Sequence, residues 1–165
     1  DFPSSLVRFI DPHTAFAVDD LLVDPVAVPH DAREPVQYVF SDGASRLAVV
    51  TDLGCTTAHV EEKLTGVDGL VLECNHDRDM LAKGSYPRML KARIAGRFGH
   101  LHNEAAGDLL SRLDRSHLKH LIAAHLSQQN NTPELAVAAL AGAAGCEPAW
   151  VGVATQETGF GWRDL

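Results

Sequence analysis

The sequence predicts a layered α/β domain in which helices cover a sheet. Three observations carry this prediction. The first half of the chain reads as strands, the second half alternates helix and strand, and four chemically capable side chains stand where predicted strands end. With 165 residues the chain is long enough for one domain with a sizeable core. Its composition, 45% hydrophobic and 22% charged, is that of a globular protein rather than a disordered one.

The elements follow in order. Residues 14–18 and 21–28 are rich in β-formers, with Asp19-Asp20 as the turn between them. Residues 36–40 form the next strand, and Ser41-Asp42-Gly43 is its hairpin turn. The run RLAVVT at 46–51 is apolar enough for a buried strand. A short helix is expected over 60–64, and GLVLE at Gly69–Glu73 is a second buried strand. Asp77 is placed to cap a short helix through Leu81. Residues 87–97 form a basic helix with Leu90 and Ile94 one turn apart. Asn103 is the expected N-cap of a helix running to about Leu113, and HLIAA at His120–Ala124 is a strand. Thr132 caps the last helix, with Pro133 at its first position and Gly145 at its end. A final strand covers 149–154.

Composition narrows the function classes. No run approaches about 18 apolar residues, so no membrane span and no membrane partner are expected. Cys55, Cys74 and Cys146 are odd in number and lack CxxC spacing, which fits a reducing cytoplasm better than a disulfide framework. No basic stretch followed by an apolar one marks a signal peptide, and cytoplasmic localisation is expected. The net charge of −8 speaks against a general nucleic-acid binder unless divalent cations supply the local positive charge. Nine histidines point toward metal or acid–base chemistry, most of them being ordinary surface residues.

His30, Asp52 and His125 are candidate metal ligands, because imidazole and carboxylate suit zinc, manganese or iron and a carboxylate can bridge two ions. The same positions also allow a solvent-facing His30, a capping Asp52 and a core His125. Glu73 and His100 are candidates for a relay in which the carboxylate orients an imidazole acid; a surface ion pair or a loop histidine is the alternative. His76, Asp77 and Asp79 form a polar cluster that lines a cleft or simply caps a helix. In the basic segment, Arg88 and Lys91 pair at a spacing of three, and Arg93 and Arg97 at four, so each pair shares a helix face. Such faces contact phosphates or are merely solvated. Asn130 begins an N-x-T pattern, read here as a loop and cap rather than a glycan acceptor.

Taken together, VPHDAREPVQYVF, VVTDLG, LVLECNHDRDML, YPRMLKARI, GHLHNEAAGDLL and AHLSQQNNTPELA resemble, in this order, the YycJ (WalJ) branch of metallo-β-lactamase-fold hydrolases. Wider relatives include ribonuclease Z. The resemblance spans residues 23–136. It implies an αββα sandwich of which the chain supplies the C-terminal sheet and helices. It implies His30, Asp52 and His125 as metal ligands, with His100 protonating a leaving group and Glu73 as its carboxylate partner. His76, Arg88 and Lys91 are the further residues expected to meet substrate. The cofactors implied are two divalent ions, zinc or manganese, with iron also compatible.

Two departures stand out. The branch has Ser where His102 stands. The HxHxDH motif, which supplies the other ligands and the base, occurs nowhere in these residues. The resemblance therefore implies that residues 1–165 are the C-terminal part of a single domain, that the natural protein carries a further N-terminal half, and that one half alone exposes the inner face of its sheet. The implied function is metal-dependent phosphodiester hydrolysis by a 5′→3′ exonuclease, on DNA more than RNA. A small-molecule phosphodiesterase and a non-catalytic half-domain are the alternatives, and a homo-oligomer is compatible with all three.

Overall fold

The computed structural model describes Pro3 and residues 6–165. Seven strands form one sheet in sequential order: β1 (Phe16–Val18), β2 (Leu21–Ala27), β3 (Val36–Ser41), β4 (Arg46–Val50), β5 (Gly69–Glu73), β6 (His120–Ala124) and β7 (Val151–Val153). The first four pair antiparallel, β1 with β2 and β3 with β4 through short turns and β2 with β3 through the loop 28–35. From β4 onward pairing is parallel, which requires crossovers. The crossovers hold helices α1 (Ala58–Leu64), α2 (Arg78–Lys83), α3 (Arg88–Ile94), α4 (Asn103–Arg112) and α5 (Pro133–Ala144).

One sheet face and the helices enclose the main core. Val26, Val39, Ala48, Val50, Leu70, Leu72, Leu121 and Ala123 alternate inward along the strands. They meet Val60 and Leu64 of α1, Leu109 and Leu110 of α4, and Leu140 of α5. α4 and α5 approach closely at Gly107, where a Cβ would stand 3.2 Å from the Ala139 carbonyl and 3.3 Å from the Ala143 Cβ. Among the described residues, no helix is long and apolar enough to cross a membrane.

The opposite face carries Val71, Ile122 and Ala124 with Leu47, Val49 and Ala154 around them. The expectation of a bare inner face needs correction. The C-terminal segment lies across it: Phe160, Trp162 and Leu165 wall a cavity of about 420 Å³ over Leu47, Val49, Val71 and Ile122. His120 Nε2 donates to the Asp164 carbonyl at 2.8 Å, and Val71, Ile122 and Ala124 are buried.

Caps explain most element boundaries. Thr57, Asp77 and Thr132 each accept a backbone N–H at the start of α1, α2 and α5. Two expectations are corrected. The N-cap of α4 is His102, whose Nδ1 accepts from the Ala105 amide at 3.2 Å. The same Nδ1 lies 2.8 Å from Glu104 Oε2, so the ring nitrogen sits between the Ala105 amide and that carboxylate. Asn103 instead turns inward and pairs amide to amide with buried Asn131 at 2.9 Å in both directions. The basic helix also stops at Ile94, because the His100 amide returns to the Ile94 carbonyl at 2.9 Å. Arg97 therefore lies outside the helix and shares no face with Arg93; its guanidinium sits 5.2 Å from the Phe98 ring centroid.

Candidate metal and acid–base site

Four loops converge at the carboxyl ends of β4, β5 and β6. The loop after β4 is pressed against the segment before His100: a Cβ on Gly54 would stand 2.6 Å from the Gly99 nitrogen, so only glycine fits the TDLG turn. The Gly54 amide also donates to the Pro29 carbonyl at 2.8 Å. This contact brings His30, Asp52 and His100 together although they are far apart in the chain.

Asp52, Glu73, His100 and His125 each offer one ligand atom, all within 4.8 Å of one another. His30 stands beside them, its Nε2 3.6 Å from Asp52 Oδ1 and its Nδ1 bonded to the Gly99 carbonyl at 3.0 Å. The five residues on which the metal and relay readings rest are thus brought to one place. Asp52 is not the helix cap, since Thr57 fills that role, and its carboxylate is left to the cluster.

Glu73 is the centre of the arrangement and is completely buried. Its Oε1 accepts from His100 Nδ1 at 2.8 Å and His125 Nδ1 at 2.7 Å. Its Oε2 accepts from the Leu53 amide at 2.8 Å and the Leu101 amide at 3.2 Å. Burial would raise its pKa, but the bonds from His100, His125 and Leu53 outweigh that, and the carboxyl is held below its ordinary value. The Glu73 bond in turn raises the pKa of His125, with burial opposing. With both Nδ1 atoms engaged, both imidazoles present Nε2 as the available atom.

Asp52 and His125 share a backbone feature invisible to pattern reading. Both are left-handed, with φ of 53° and 56°. Asp and His tolerate this region better than most residues, yet it costs about 1–2 kcal/mol each. Asp52→Gly is therefore expected to leave the metal-free protein about 1 kcal/mol more stable than Asp52→Ala does, although both lose the carboxylate. Urea unfolding of the two variants in chelator checks this, and equal midpoints would refute it.

The remaining candidates lie apart from the cluster. His76 is 1% exposed, beneath His102, and burial first and His102 second push its pKa down to about 4. The unfolded chain binds a proton there near 6.5 and the folded one does not, so stability falls as pH drops from about 6.5 to about 4, by on the order of 3 kcal/mol. His125, shifted upward, works in the opposite direction, adding stability below 6.5. Urea midpoints against pH for wild type and His76→Asn should differ in slope across that window; identical slopes would exclude His76 as the source. Lys91 Nζ donates to the Ala82 carbonyl at 2.7 Å, and Arg88 is exposed at the start of α3. Arg93 is paired with Asp31.

Asn130 is 1% exposed and its backbone carbonyl accepts from the Asp77 amide at 2.8 Å, so its N-x-T pattern is structural. Cys74 is buried and its thiol pKa is raised by burial, which makes it no nucleophile.

This fold and this His/carboxylate cluster at the strand ends define a known class. Residues 4–126 match the Beta-lactamase superfamily domain, and the chain belongs to the metallo-β-lactamase superfamily. Within it, the chain is similar to exodeoxyribonuclease YycJ of Bacillus anthracis, at 38% identity over 117 residues, 71% of this chain and 44% of the relative. Exodeoxyribonuclease WalJ of Streptococcus pneumoniae is 34% identical over the same shares. Among solved structures, the metallo-β-lactamase fold protein YhfI from Bacillus subtilis superposes with a TM-score of 0.67 at 15% identity, covering 93% of this chain and 54% of that one. The chain thus spans less than half the length of the curated relatives it matches.

Proposed function

We propose that the protein is a metal-dependent phosphodiester hydrolase, a nuclease of the 5′→3′ DNA exonuclease kind. The observation that carries the reading is the convergence of Asp52, Glu73, His100 and His125 within 4.8 Å at the strand ends of a metallo-β-lactamase-superfamily chain. The similarity to proteins named exodeoxyribonucleases supports the substrate class.

The donor set fits hard or borderline divalent ions such as zinc, manganese or iron. His30, Asp52 and His125 would hold them. Bound ions supply Lewis acidity toward a phosphoryl oxygen and an acidified water. His100 gives its Nε2 proton to the leaving oxygen. Glu73 orients that ring and balances its charge, its own position fixed by the two backbone amides. Glu73 is already engaged by four donors, which suits a positioning role better than direct ligation. Three ligands are too few for two ions, so we assign the remaining ligands and the base to a further half-domain of the complete protein. Its sheet would pack on the face that carries Val71 and Ile122, in place of the C-terminal segment that lies across that face.

A small-molecule phosphodiesterase is the second reading, and the net charge of −8 favours it. Metal content and cleavage by the full-length protein separate the two. A nuclease should contain about two ions per chain, degrade 5′-phosphorylated DNA, and slow steeply with salt through counterion release. A small-substrate enzyme should prefer simple diesters and show little salt dependence. Absence of stoichiometric metal together with no cleavage of DNA, RNA or a simple diester would refute both.

A further inference from the structure

Beside the metal-ligand cluster lies a second cleft of about 370 Å³, within the size range of small-molecule sites. The cavity over His30 and Asp52 shares Ile94, His100 and His125 with it, so the two imidazoles form a septum between them. The second cleft has a distinct chemistry. Its wall holds the amides of Asn75, Gln128, Gln129 and Gln156, with Tyr86 and Ile94 as larger carbon surfaces. Among the described residues, no lysine, arginine, aspartate or glutamate lines it.

We propose that this cleft binds the nucleobase of the nucleotide next to the scissile phosphate, with Tyr86 as the stacking surface and the glutamine amides as partners for the base edge. The inference rests on the nuclease reading and deepens it. A phosphate wall would call for cations. Amides instead offer a donor and an acceptor on one group, which matches the mixed edges of bases. An aromatic ring adds a stacking face that every base can use. The Tyr86 hydroxyl and the Gln129 and Gln156 amides make no hydrogen bond to other described side chains, which leaves them available.

The wall is also fixed in place. Asn130 joins the loop before Tyr86 to the loop of Gln128 and Gln129: its carbonyl takes the Asp77 amide at 2.8 Å, and Gly84 packs where a Cβ would stand 2.5 Å from Asn130 Oδ1. At the floor, the Ser127 amide donates to the Asn75 carbonyl at 2.8 Å, and Asn75 Nδ2 to the His125 carbonyl at 3.0 Å. Cleft and cluster therefore share one frame, which sets the base position relative to the bond being cut.

The test compares the full-length protein with Tyr86→Ala and Tyr86→Phe on two oligodeoxynucleotides, one ordinary and one abasic at the terminal nucleotide. Wild type should cleave the ordinary substrate about tenfold better in kcat/KM. Tyr86→Ala should erase that preference, and Tyr86→Phe should restore it. Equal cleavage of both substrates by wild type, or an equal loss on both in Tyr86→Ala, would overturn the base pocket while leaving the nuclease standing. Titration with thymidine 5′-phosphate and deoxyribose 5-phosphate gives a readout independent of turnover. A preference for the base-bearing ligand that Tyr86→Ala abolishes supports the pocket even where no oligonucleotide is cut, an outcome that sinks the nuclease reading alone. No cleavage and no preference sinks both.

Discussion

Glu73→Ala is expected to destabilise the metal-free protein by about 3–5 kcal/mol, the scale for removing one partner from a buried charged network. The substitution leaves the Leu53 and Leu101 amides without an acceptor in a buried setting and releases His100 and His125 at once. Glu73→Gln retains the shape but replaces one acceptor oxygen with a donor, so either the two amides or the two imidazoles face an N–H. Its loss should be intermediate, with the tautomers of both histidines disturbed. Because the Glu73 pKa is lowered on folding, its contribution is present above about 4.5 and disappears as pH falls through the lower folded value. Urea unfolding in chelator measures both variants at neutral pH. An alanine variant within about 0.5 kcal/mol of wild type, the range of ordinary surface substitutions, would show that the network is not structural.

His100→Ala is expected to lower turnover on DNA by about 10²–10⁴-fold, the range for loss of a general acid, while the metal content stays that of wild type. The separation of roles rests on the proposed function, since Glu73 holds His100 and His125 in the same way. His100 Nδ1 is held by Glu73, and its Nε2 is the atom left to meet a substrate. The choice of substrate sharpens the test. An alkoxide leaving from DNA needs a proton, whereas nitrophenolate leaves without one. The variant should therefore be severely impaired on DNA and nearly unimpaired on a nitrophenyl diester. An equal loss on both substrates, or a loss of metal, would make His100 a ligand or a structural residue instead.

Strand and helix order was legible because each element has its own period and punctuation. Gly69–Glu73 and His120–Ala124 are as expected to the residue, being short apolar runs bounded by polar ones. Pro133 and Gly145 bracket α5 for the same local reasons. Failures came where a side chain had a long-range partner. Asn103 has a capping side chain, but pairing with Asn131 across the fold claimed it, and His102 stands at the cap. The C-terminal cover over the sheet had no periodic signal. At the site, residue types and strand ends were readable, and family resemblance grouped them. The two left-handed residues and the double bond to Glu73 were not, since both depend on how loops close in three dimensions.

The left-handed backbone at Asp52 and His125 also sets which replacements these positions can explore. Under the proposed function two filters act there at once: the loop admits few residue types besides Gly, Asn, Asp and His, and coordination chemistry admits His and carboxylates. Their overlap is little more than the residues already present. A lineage that kept the fold but gave up the chemistry would drift toward glycine or asparagine at these two points rather than toward alanine or valine. Abandoned catalysis in this scaffold would thus leave a recognisable trace in sequence.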